Sequence, residues 1–280
     1  MNRRTGLRWA GYVAFAVAFA IACGFLANWQ FARSAERDEQ LALVAANYDA
    51  APVPLAELLP DGAAFDGGDQ WHPVLLEGEY LSDELLLVRN RPHGGTSAFE
   101  VLVPFRLTDG RVMVVDRGWV PPGESQPEPD EIPAAPTGQV SVVARLQPGE
   151  PLPRSGRGAP EGQVPTIHLP LIADTIASGA TAVTDAYALL VSEDPAPTTT
   201  PQPLASPSDD PGPHLSYAIQ WILFAVMGFV FLWYMIRTER RHRREEAEDA
   251  ARGVAAAPRA GRRRDRDMEE EDAFLDSAVR

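Results

Sequence analysis

The chain has 280 residues, and its one cysteine, Cys23, excludes an intramolecular disulfide. All 25 basic residues are arginine, against 39 aspartate and glutamate residues, for a net charge of −14. Most of this acidity lies between residues 33 and 213, where 10 arginines meet 27 acidic side chains for a local charge of −17. We therefore exclude nucleic acid as a partner of this region.

Two uncharged apolar stretches, Trp9 to Ala32 and Leu215 to Ile236, are long enough as helices to cross roughly 30 Å of hydrocarbon. Arginines lie outside both stretches, at Arg3, Arg4 and Arg8 before the first and between residues 237 and 244 after the second. Because such arginines mark the cytoplasmic side, we expect a multi-pass protein of the cell membrane, in contact with lipid, with both termini in the cytoplasm. The first stretch is longer than the apolar part of a cleavable signal peptide, which favours an uncleaved helix.

This pattern predicts six segments. They are a cytoplasmic N-terminus at 1–8, a transmembrane helix at 9–32, an extracytoplasmic β-rich domain at 33–194, a proline-rich linker at 195–213, a second transmembrane helix at 214–236 and a disordered cytoplasmic tail at 237–280. Residues 35–48 either extend the first helix or form a second, short one.

Alternating apolar residues predict strands in the central region. The predicted strands cover residues 71–80, 84–90, 99–107, 111–116, 139–146 and 187–192, with one short helix at 169–178. Asp109-Gly110 between two alternating runs is a hairpin signature. The predicted fold class is membrane α+β, with two transmembrane helices flanking one mainly antiparallel β extracytoplasmic domain.

Three polar or aromatic side chains lie at the outer end of the first apolar stretch. On a helix, Trp29 and Gln30 would share a face with Arg33. An interfacial aromatic residue followed by an arginine is common in membrane helices, so these residues alone do not establish a binding site.

Two arginine-containing segments of the central region can be interpreted structurally. In the run that ends at Pro121, Gly118 permits a bend, and Arg117 beside Asp116 is explained as an exposed pair. The segment 89–95 is interpreted in the same way, as a turn with solvated charges.

The second apolar stretch opens with a stripe of residues that could hold a flat ligand. His214, Tyr217, Ala218, Trp221 and Ala225 follow helical spacing, so they lie on one face. The positive end of a helix disfavours a protonated imidazole, which would leave His214 neutral and able to bind a metal. An interfacial histidine with membrane-belt aromatics remains the alternative.

Together and in this order, these segments resemble the surfeit locus protein 1 family of cytochrome c oxidase assembly factors. The first matching motif consists of Leu26, Trp29, Gln30 and Arg33, the second of residues 117–121, and the third of His214, Tyr217, Ala218, Gln220 and Trp221. Asp116 stands where the family pattern has asparagine.

The resemblance implies a non-enzymatic role in building the haem-containing subunit of the oxidase. It implies cytochrome c oxidase subunit I and haem a synthase as partners, and haem a as a transient cofactor whose iron takes His214 as an axial ligand. Trp29, Gln30, Tyr217 and Trp221 would line the pocket, and Arg33 or Arg117 would pair with a propionate. Two alternatives stay open: a protein-only scaffold for oxidase assembly, and an unrelated enzyme or sensor domain tethered by two helices.

Overall fold

The computed structural model describes residues 3–93, 95–156 and 158–252. It divides the chain into two compact units, one formed by Met1–Ala32 together with Pro213–Arg280 and the other by Arg33–Gly212.

Two long helices, α1 (Arg3–Asn47) and α4 (His214–Ala251), carry the apolar stretches. By length and composition, both are able to cross a membrane. Residues 35–47 continue the first helix, which settles the choice between an extension and a separate helix. Helix α4 begins at His214, as predicted, but it runs past residue 236 to Ala251, into the predicted disordered tail. The remainder of that tail, 253–280, lies outside the described residues.

The second unit is built on a sheet of eight strands. The strands are β1 (Val53–Pro54), β2 (Pro73–Tyr80), β3 (Leu86–His93), β4 (Thr96–Leu107), β5 (Val112–Val120), β6 (Val140–Pro148), β7 (Gln163–Val164) and β8 (Ala186–Asp194). Two short helices, α2 (Leu55–Leu58) and α3 (Leu169–Thr175), and three single 3₁₀ turns complete it. The predicted hairpin is confirmed, since β4 and β5 pair antiparallel on either side of the Asp109-Gly110 turn.

The strand order is β1-β2-β6-β8-β5-β4-β3-β7, and an additional pairing joins β2 to β4. That pairing closes β2, β6, β8, β5 and β4 into a five-stranded ring. Gly78 lies at the closure, where a Cβ atom would stand 1.9 Å from the carbonyl oxygen of Arg106. The longer ladders are antiparallel, but β1–β2, β3–β7 and β5–β8 are parallel, so the sheet is mixed.

Alternate residues of the ring strands fill two separate cores. The larger core takes side chains from all five ring strands, among them Leu76, Phe105 and Met113, and therefore occupies the ring's interior. The smaller core lies on the opposite face of β3, β4 and β5, where Ile172 of α3 covers Val114 and its neighbours.

Several hydrogen bonds hold the proline-rich linker of residues 195–213 within the second unit, among them those from Arg37 and Tyr48 to residues 206–210. Trp119 at the end of β5 and Gln202 exchange two backbone hydrogen bonds of 2.8 Å. The linker is thus partly held as a strap along the ring, rather than being free over its whole length.

Candidate functional site

A hydrogen bond joins α1, near the C-terminal end of its apolar stretch, to the first residue of α4. The Nδ1 atom of His214 lies 2.9 Å from the Oε1 atom of Gln30. An amide oxygen only accepts hydrogen bonds, so in this contact Nδ1 is the protonated, donating nitrogen. In the neutral imidazole, the other ring nitrogen, Nε2, then carries a free lone pair, as metal-binding histidines require.

Small buried residues share helix faces with Gln30 and His214. Cys23 and Ala27 share a face of α1 with Gln30, Ala218 lies one turn after His214 on α4, and these three small side chains are buried. The short side chains allow two helices to approach closely.

The predicted aromatic residues present flat surfaces on α1 and near the start of α4. Trp29 is 54% exposed and Tyr217 is 47% exposed. Trp221 is half-buried and makes an edge-to-face contact with Phe224, with the ring centroids 5.7 Å apart. Of these three predicted wall residues, Trp29 and Tyr217 therefore keep the more open surface for a ligand or lipid.

The ligand that these residues offer to a metal is a single imidazole, that of His214. Among residues 3–93, 95–156 and 158–252, no group of three or more His, Cys, Asp or Glu side chains could hold a metal ion. A multidentate protein cage of the zinc type therefore does not fit these residues. A metal that already carries most of its ligands, and needs one axial nitrogen, does fit them.

The two predicted arginines differ in their availability. The guanidinium of Arg33 is exposed and pairs with Glu36 across one helical turn, with 2.8 Å between Nη1 and Oε2. Such an exposed pair is weak, so Arg33 remains free to exchange partners.

Arg117 lies in the interior of the sheet unit, with no exposed side-chain surface. It makes a 2.6 Å ion pair with Glu193, a hydrogen bond to the Pro133 carbonyl and a contact with the Tyr80 ring. Burial raises the pKa of the Tyr80 phenol, and the Glu193 charge raises it further, so the phenol stays a hydrogen-bond donor. The expectation of an exposed Asp116–Arg117 pair is wrong, because both side chains are buried.

Sequence reasoning missed an ionic network on the outer face of the ring. Arg91 pairs with Glu100 and with Glu150, at 2.6 Å each, and His93 contacts Glu100 at 2.9 Å. His93 also stacks on Trp119, with the ring centroids 5.4 Å apart. The segment interpreted as a solvated turn is thus largely a strand with half-buried charges. Its one available signal was the alternation of Arg89, Arg91 and His93.

Burial and charge shift the pKa values in this network in different directions. Burial would lower the pKa of Arg91, but Glu100 and Glu150 raise it above its ordinary value. Burial would raise the pKa of Glu150, and hydrogen bonds from Thr166 and Arg91 bring it below its ordinary value. Burial raises the pKa of Asp116, and the charge of Glu100 raises it further. The network therefore contains fixed ion pairs beside a buried carboxyl group whose pKa is raised.

Comparison with known proteins agrees with the motifs. The SURF1 family profile matches residues 17–226. Two relatives, each described as an uncharacterized SURF1-like protein, come from Mycobacterium bovis and Mycobacterium tuberculosis; each is 33% identical over 239 residues, which is 85% of this chain and 87% of the relative. The family profile spans part of each long helix and the whole sheet unit between them. The chain therefore belongs to the SURF1 family, which is a family of oxidase assembly factors.

Proposed function

We propose that this protein assists the assembly of the haem-containing subunit of cytochrome c oxidase by binding haem a and delivering it to that subunit. The observation that supports this most directly is the 2.9 Å contact between His214 Nδ1 and Gln30 Oε1. It selects the imidazole tautomer whose Nε2 can act as an axial ligand of haem iron.

The other residues that we predict for this site suit an amphipathic pigment. Haem a combines a flat macrocycle and an apolar tail with two carboxylates. Trp29, Tyr217 and Trp221 offer aromatic surfaces, and Arg33 offers an exposed guanidinium for a propionate. Arg117 has no part in this proposal, because Glu193 already neutralises it in the interior of the sheet unit.

In this proposal α1 and α4 cross the cell membrane, both termini are cytoplasmic, and the sheet unit is extracytoplasmic. The arginines at the outer flanks of the two apolar stretches support this topology. The partners are then oxidase subunit I, which receives the haem, and haem a synthase, which supplies it. The role is non-enzymatic: the chain holds and transfers a cofactor.

The test is a visible absorption spectrum of the full-length protein, co-expressed with haem a synthesis and purified in detergent. We expect haem absorbance in the wild type and its loss in His214→Ala. Gln30→Leu should bind haem roughly 10- to 100-fold more weakly, since it removes the acceptor that fixes the imidazole. His242→Ala is the matched control, because His242 lies on the same helix with a 67% exposed side chain. Equal pigment in the wild type and His214→Ala would overturn the proposal.

A protein-only assembly scaffold is the second candidate. Its support is the same hydrogen bond, because the contact between Gln30 and His214 ties α1 to α4 without a cofactor. Under this function, the purified wild type contains no haem, and any loss of oxidase assembly in His214→Ala is matched by Gln30→Leu, because both variants remove the same contact. Under the haem proposal, His214→Ala lowers both pigment and oxidase assembly.

A further inference from the structure

A cavity of about 490 Å³ opens beside strand β3 in the sheet unit, and its described lining residues are different from those of the haem proposal. Arg89, Arg91 and Thr166 supply polar groups to its wall, and Pro151, Pro153 and Pro165 supply apolar ones. We call this cavity the β3 pocket. Its volume lies within the range of sites for small organic ligands.

Among the described residues that line the β3 pocket, Arg89 is the uncompensated cation. Within the described parts of the chain, it makes no hydrogen bond or ion pair, and its Nε atom is buried without a partner. Arg91, by contrast, is paired with both Glu100 and Glu150. A buried guanidinium nitrogen without an acceptor costs free energy, which an incoming oxyanion would relieve.

A β-bulge places Arg89 at this position. The pairing of β3 with β4 shifts register between Val88 and Arg91, so Arg89 and Asn90 have no partners on β4. Asn90 adopts a left-handed backbone with φ of 61°, which asparagine tolerates better than most residues. Bulges of this kind change the direction of a side chain and occur often beside functional sites.

We propose that the β3 pocket binds the carboxylate of a small monoanionic organic acid through Arg89. A guanidinium binds a carboxylate with two parallel hydrogen bonds, which fixes the orientation of the ligand.

The charges around the pocket favour one negative charge on the ligand. Arg89 supplies one positive charge, whereas Arg91 is already matched by Glu100 and Glu150. A dianion such as phosphate would keep a second charge close to these two carboxylates, so a monocarboxylate is preferred.

The walls favour a ligand with an apolar body. Proline has no backbone N–H, so Pro151, Pro153 and Pro165 offer ring carbons where other residues would offer donors. A hydrocarbon or aromatic group attached to the carboxylate would lie against these rings.

The test is a calorimetric titration of the full-length protein in detergent with sodium benzoate and, separately, with inorganic phosphate. We expect saturable benzoate binding that is tighter than phosphate binding. Arg89→Gln should weaken benzoate binding at least about tenfold. Arg106→Gln should leave it unchanged, because Arg106 lies on the neighbouring strand in an exposed pair with Glu79. No saturable benzoate binding, equal binding by Arg89→Gln, or tighter phosphate binding would overturn the proposal.

A second measurement needs no variant. Phenylglyoxal modifies accessible arginines of the wild type, and mass spectrometry locates each modified residue. Benzoate should slow the modification of Arg89 and leave that of Arg106 unchanged. If benzoate protects neither arginine, or both equally, the proposed site is wrong.

Discussion

Asp116 shows how one buried side chain can link stability to pH. Its side chain is fully buried, and Oδ1 accepts a hydrogen bond of 2.9 Å from the backbone N–H of Gly118. Its second oxygen, Oδ2, has no hydrogen-bond partner within the described ranges. Burial raises the pKa of Asp116, and the charge of Glu100 raises it further, so the folded protein retains this proton above the pH at which the unfolded chain releases it.

We predict that Asp116→Asn makes stability less sensitive to rising pH. An unfolded aspartate loses its proton near pH 4, and folding must then restore it, so Asp116 costs more stability as the pH rises towards its folded pKa. Asparagine has no such proton. Relative to the wild type, the variant should gain on the order of 1 kcal/mol in unfolding free energy between pH 5 and pH 8. Denaturant unfolding of the full chain at each pH, monitored by tryptophan fluorescence, measures this gain.

Asp109→Asn is the control, because its effect on the unfolding free energy should change with pH in the opposite direction. Burial would raise the pKa of Asp109, but hydrogen bonds from Arg111 lower it below the ordinary value. Its stabilising contribution is therefore present above the unfolded pKa and is lost as the pH falls through the folded pKa. Asp109→Asn should lose a little stability at pH 8 and less at pH 3. A pH-independent difference between Asp116→Asn and the wild type would contradict the assignment.

At the residue scale, sequence reasoning succeeded where the position of a side chain follows from the geometry of its own helix or strand. The stripe that begins at His214 follows from helical spacing, and α4 does begin at that residue. The burial of Arg117 could not be predicted, because its partner Glu193 is 76 positions away in the chain. A single sequence shows that a charge exists but does not show which distant residue neutralises it.

At the scale of elements, Gly118 determines how the linker meets strand β5. It adopts φ of +118°, and a Cβ atom there would lie 2.3 Å from the carbonyl oxygen of Gln202. The next residue, Trp119, exchanges two backbone hydrogen bonds with Gln202. The absence of a side chain at Gly118 therefore allows the strap to lie against the end of the strand.

We predict that Gly118→Ala detaches the strap from β5. The Cβ clash displaces Gln202, and alanine is strained at this φ, so the cost in unfolding free energy should be about 1–3 kcal/mol. Chymotrypsin cleavage after Leu204, measured by mass spectrometry of brief digests, should become several-fold faster. Gly110→Ala is the control: Gly110 also has a positive φ, of +91°, but a Cβ there meets nothing within 4 Å. Equal cleavage rates in both variants would contradict the clash.

The elements themselves were predictable to different degrees. The β4–β5 hairpin follows from alternation and an Asp-Gly turn, both of which are local signals. The closure of the ring depends on Gly78 of β2 meeting Leu107 of β4, a pairing that no local pattern specifies. The parallel pairs have the same limitation, because their strands are joined by long connections.

On the scale of the whole molecule, charge and hydrophobicity are divided between the two units. The residues between 33 and 213 carry a charge of −17, whereas the apolar stretches at 9–32 and 215–236 carry none. The sheet unit also has its own closed ring and interior core. We therefore expect that its folding does not depend on the apolar faces of α1 and α4.

We predict that a fragment of residues 33–212 folds alone and stays soluble and monomeric. The ring interior supplies a complete core, and the negative charge opposes association. Circular dichroism should show a β spectrum with one cooperative thermal transition, and light scattering should give the mass of one fragment. The shorter fragment 33–194 is the comparison: it lacks Gln202 and its two hydrogen bonds to Trp119, so its transition should occur several degrees lower. An aggregated or non-cooperative longer fragment would mean that the helices complete the core.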